Sequence, residues 1–121
     1  MPRVAALALD RLTDLPVLLQ TAEGFEPLAA ALRQRRSGVI DGAWGSSAGL
    51  AVAALAPHVP STLLVVIAHP RDLDAWAGDL FSFSGVRPAL FPAWDNQPTP
   101  GQGIDEIAGQ RLRLLKQFDS D

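Results

Sequence analysis

The residues best placed to do chemistry form one short turn, Gly42-Ala43-Trp44-Gly45-Ser46-Ser47-Ala48-Gly49. It begins where the β-prone run Gly38-Val39-Ile40-Asp41-Gly42 ends and leads into a helix-prone stretch, Ser46 to Ala56, that Pro57 stops. Strand, glycine-bearing turn and helix, in that order, place backbone N–H groups at a helix start, where they can hold a phosphate. A working loop of the form G-x-x-x-x-G-K-[ST] also needs a Lys to reach the phosphates and a hydroxyl to hold Mg²⁺. Read from Gly42, those two places hold Ala48 and Gly49. Without the ammonium and the metal ligand, polyphosphate charge is left unbalanced, so nucleotide hydrolysis is not expected. The turn is read as a degenerate loop that binds no cofactor and in which Ser46 or Ser47 caps the helix; residual anion binding by their backbone is the weaker alternative.

The same residues spell a second motif. Gly45-Ser46-Ser47-Ala48-Gly49 fits G-x-S-x-G, which would make Ser47 the nucleophile of a hydrolase elbow. That arrangement needs an acid and then a histidine later in the chain. His58 and His69 are the only histidines, and no Asp or Glu lies between Ser47 and His69. A triad in that order cannot be assembled, and no catalytic residue is assigned. His58 reads as an exposed loop residue between Pro57 and Pro60, and His69 as a cap for the helix that follows it. With no Cys and two His, no metal site is expected.

Positioning these residues falls to alternating elements. Two short helices, one around Leu15 to Thr21 and one starting near Pro27, make a helical lead-in over residues 1–37. Leu63 to Ala68 is an unbroken apolar run rich in β-branched residues, the pattern of a central parallel strand covered on both faces. Pro70 starts a helix whose Leu73, Trp76, Leu80 and Phe83 share one face and which Gly85 ends. Val86 to Phe91 reads as another strand, Pro92 to Gly103 as a loop anchored by Trp94, and Ile104 to Phe118 as an amphipathic helix. Arg111 falls in the middle of that helix's apolar stripe, where a guanidinium needs an acceptor, either Asp95 or backbone carbonyls of the loop. The order βαβα implies an α/β domain over residues 38–121: a partial parallel sheet with flanking helices, incomplete because the alternation calls for a fourth strand after Phe118.

Composition narrows the function further. The 121 residues suit one domain with a modest core, and the net charge is −3. Apart from Arg33, Arg35 and Arg36 the basic residues are scattered, so direct nucleic-acid binding by this segment is not indicated. The longest apolar stretch, Ala48 to Pro57, is far short of the roughly 20 residues that span a bilayer, and a cytoplasmic address is expected.

The order of motifs is distinctive from the turn onward: His69-Pro70-Arg71-Asp72-Leu73, then Leu90-Phe91-Pro92-Ala93-Trp94-Asp95-Asn96-Gln97-Pro98, then Ile104 through Arg111-Leu112-Arg113-Leu114-Leu115. Over Gly38 to Phe118 this resembles the N-terminal region of bacterial transcription-repair coupling factors, most specifically in the Trp-acid-x-x-Pro loop and the Arg-Leu helix. That region is similar to the first domain of the excision-repair subunit UvrB, so the resemblance implies a P-loop-NTPase-like fold with a degenerate nucleotide loop. Trp94, Asp95, Pro98 and Arg111 match its motif as scaffold positions. The resemblance implies a parent protein that uses ATP and Mg²⁺ in a C-terminal motor, moves on double-stranded DNA, releases stalled RNA polymerase and recruits UvrA. This segment would be a non-catalytic scaffold packed against the rest of that protein; the competing expectation is a fragment of an ATP-binding helicase with an atypical phosphate loop.

Overall fold

A computed structural model describes residues 9–93 and 106–120. Five helices make up its regular structure: α1 (Leu15–Leu19), α2 (Phe25–Arg33), α3 (Ser46–Leu55), α4 (Leu73–Ser84) and α5 (Glu106–Phe118). Their ends follow local chemistry. Gly24 precedes α2 with φ of 84°, in the left-handed region that glycine enters without a Cβ penalty. Pro57 converts the end of α3 into the 3-10 turn Ala56–His58. Another 3-10 turn, Pro70–Asp72, leads into α4, and Gly85 closes that helix at φ 73° with its N–H on the Phe81 carbonyl.

Helix α3 lies at the centre. Its sequence is apolar on every side, and it buries Gly49, Ala51, Ala53, Ala54 and Leu55. It packs on α4 and α1, while α2 packs on the 3-10 turn that follows α3. Phe25 and Ala29 of α2 meet Ala54 and Leu55 of α3 in one cluster, flanked by Leu19, Leu28 and Leu32. On α4, Phe83 is buried and Leu73, Trp76 and Leu80 are half-buried, which is the face their spacing marks out.

The expected parallel sheet is not formed. Among the described residues there is no strand and no bridge, so the α/β, P-loop-NTPase-like architecture is corrected to a helical one. The runs 38–41, 62–68 and 86–91 lie between helices without pairing to one another, and none of them makes a backbone–backbone hydrogen bond. Val39, Leu64, Val66 and Val86 are strongly exposed, the opposite of strands covered on both faces. A β-branched run suits a pleated surface, but a strand exists only where a second backbone completes the ladder.

Candidate functional site

The turn before α3 is shaped by two glycines, Gly42 at φ 76° and Gly45 at φ 52°. Between them Trp44 stands 83% exposed. The Ser47 hydroxyl accepts from the Trp44 N–H at 2.7 Å and donates to the Trp44 carbonyl at 2.6 Å. The Ser47 and Ala48 amides donate to the carbonyls of Trp44 and Gly45, both at 3.1 Å. The Ser47 hydroxyl and the Ser47 and Ala48 amides, groups that could greet a phosphate or a metal ion, are therefore occupied by the turn itself. Ser46, Ser47, Ala48 and Gly49 all lie within α3, and Arg35 is the one non-glycine residue with positive φ among the described residues. Ser47 accordingly lacks the strained strand-to-helix backbone that lifts a nucleophile clear of its elbow.

The place where a hydroxyl would hold Mg²⁺ is closed from outside the motif. Gly49 is buried, and a Cβ added there would sit 2.9 Å from Cβ of Asp79 on α4, with an Asp79 carboxylate oxygen at 3.8 Å. Glycine at 49 is thus required by helix packing, and the nearest side chain on α4 brings negative charge toward the start of α3. Beside the turn lies a hollow of about 430 Å³ walled by Phe25, Leu28, Ile40 and Leu50. Among the described residues it carries two carboxylates, Glu23 and Asp41, and no basic side chain. Such a lining repels a phosphate. Sequence reasoning identified the missing Lys and hydroxyl but not Asp79, whose position follows from the packing of α3 on α4 and leaves no local signal.

The histidines are placed apart in character. His69 is exposed and precedes the turn into α4 without a side-chain capping bond. His58 departs from the expected exposed loop residue, because it is half-buried and its ring meets Phe25 edge-on, centroids 5.4 Å apart at 71°. Arg33 donates to His58 Nδ1 at 2.8 Å and also pairs with Glu26. Accepting at Nδ1 puts the proton of a neutral ring on Nε2, which is buried without a partner. The chain Glu26, Arg33, His58 and Phe25 joins α2 to the end of α3. It is a packing link, and among the described residues no acid or hydroxyl is aligned on His58 as catalysis would need.

Arg111 on α5 donates to the Pro92 carbonyl at 2.5 Å, and its guanidinium lies over the Phe91 ring, 3.9 Å from the centroid. A backbone carbonyl and an aromatic face both engage the cation that the stripe of α5 carries. Trp94, Asp95 and Pro98 lie outside the described residues. Among the described residues no group of three or more His, Asp or Glu side chains is disposed to hold a metal ion, and no helix is long and apolar enough to cross a membrane. Comparisons of the chain with protein-family models, with curated proteins and with solved structures give no match.

Proposed function

We propose that this chain is a non-catalytic scaffold segment, of the kind that opens bacterial transcription-repair coupling factors. The observation that carries the reading is the closure of the start of α3. Asp79 stands against Gly49, and the Ser47 hydroxyl is spent on the Trp44 turn, so the phosphate-loop-like residues serve packing. The contact of Arg111 with Phe91 and Pro92 adds support, because it joins the loop and the helix whose residues carry the resemblance. In this reading the ATP and Mg²⁺ chemistry belongs to a motor elsewhere in a larger cytoplasmic protein, as do the contacts with UvrA, RNA polymerase and double-stranded DNA. The segment itself packs within that protein.

The test is thermal unfolding with and without Mg-ATP. A ligand that binds only the folded state at about 100 times its Kd adds about 2.7 kcal/mol of stability. The expected result is no shift in the melting temperature. The Ala48→Lys, Gly49→Thr double variant should unfold at a lower temperature and still show no shift, since its new Cβ at 49 meets Asp79. A shift in the natural chain would overturn the scaffold reading in favour of an ATP-binding helicase fragment.

A further inference from the structure

Ten basic residues are spread along the chain, and one pair of them stands in a setting open to a protease. An endoprotease needs several consecutive exposed residues that can leave the fold together and lie extended in its cleft. Residues 33–47 are exposed without a break, and residues 36–41 belong to no helix or strand. Arg35 and Arg36 lie at the head of that segment. Arg35 stands at φ 57°, in the left-handed region that strains a residue with a side chain, so extending the backbone there relieves it. The Arg36 amide still donates to the Ala31 carbonyl at 2.8 Å, whereas the Ser37 amide has no partner among the described residues. Neither the Arg35 nor the Arg36 guanidinium has an ion-pair partner among them, so both can enter an anionic specificity pocket.

The other described basic residues are held back by their surroundings. Arg33 lies in α2, and Arg111, Arg113 and Lys116 lie in α5. Arg11 is tied to Asp14 through its N–H at 2.9 Å and its carbonyl at 3.0 Å. Arg71 sits inside the turn Pro70–Asp72, and Arg87 is followed by Pro88, whose ring blocks the bond before it. Arg3 lies outside the described residues, and residues 94–105 contain no Lys or Arg.

We propose that the connection between α2 and α3 is a processing site, where an arginine-specific endoprotease cuts the Arg36–Ser37 bond and leaves the two pieces joined. Water adds across that amide. Its oxygen goes to the Arg36 carbonyl carbon, the C–N bond breaks, and its two protons end on Ser37, giving a carboxylate and an ammonium. The contacts that cross the cut lie away from it. Phe25 and Ala29 pack on Ala54 and Leu55, and Arg33 donates to His58 Nδ1 at 2.8 Å. The backbone at Gly38 is pressed on α2, where an added Cβ would collide with Leu28 Cδ1. Helix α1 packs on α3 and α4 as well. Cleavage therefore creates a new amino end and a new carboxyl end at the surface while the core keeps its partners.

Trypsin at a low ratio to the natural chain is the probe, with intact masses followed over time. The first cut within residues 9–120 should fall after Arg36. The pieces 1–36 and 37–121 should co-elute in size exclusion and separate in urea. The Arg35→Gln, Arg36→Gln double variant should keep its helical circular dichroism and slow that first cut at least about tenfold, since it removes the charge the specificity pocket reads. A first cut at any other bond within residues 9–120, an unchanged rate in the double variant, or pieces that elute apart under native conditions would each overturn the proposal.

Discussion

Single side chains decide what the turn and the last helix can do. Among the described residues Arg111 engages the Pro92 carbonyl and the Phe91 ring, and removing the guanidinium frees both. Arg111→Ala should lower stability by about 1–2 kcal/mol and loosen residues 91–93 against α5. Thermal melts read the first effect and hydrogen exchange of the segment reads the second; an unchanged melting temperature would mean that the contact contributes nothing. The spacing of the α5 stripe announced that Arg111 needs an acceptor, and it left Asp95 and the loop carbonyls as equals. The Pro92 carbonyl is one acceptor it finds, and Asp95 lies outside the described residues. Asp79 and the Phe25–His58 contact were not legible, because each depends on which helix lies opposite, and that is settled at long range.

At the scale of elements, helices were legible and strands were not. Pro70 and Gly85 bracket α4 through chemistry confined to a few residues, and Pro57 ends α3, whose N-cap is Gly45 without the expected serine side-chain cap. The runs at 38–41, 62–68 and 86–91 have the composition of strands, yet a ladder needs a partner backbone that no local pattern supplies. Their expected sheet is replaced by helix-on-helix packing centred on α3. Gly85 tests how firmly α4 is closed. Gly85→Ala forces a Cβ into φ 73° and should cost about 1–2 kcal/mol, seen as an earlier thermal transition. Its neighbourhood is open, with Thr13 Cγ2 at 3.9 Å as the nearest contact, so a loss would come from backbone strain rather than a clash.

At the scale of the whole molecule, burial is thin. Among the described residues seven apolar residues form the core, and four of them are alanines, while fifteen large apolar side chains are exposed. Small side chains let α1, α3 and α4 approach closely but remove little area from water, at about 25 cal/mol per Å². Urea unfolding of the monomer should therefore show a shallow slope, below about 1 kcal/mol/M, where small proteins ordinarily fall at about 1–3. A steep, fully cooperative transition at low protein concentration would show that more surface is covered than the described residues account for. The close approach of Gly49 to Asp79 also has an evolutionary meaning. A lineage that gained Lys at 48 and Thr at 49 would break the seat of α3 on α4 before it gained any affinity for nucleotide. Both helices would have to change together for a hydroxyl-bearing residue to fit at 49.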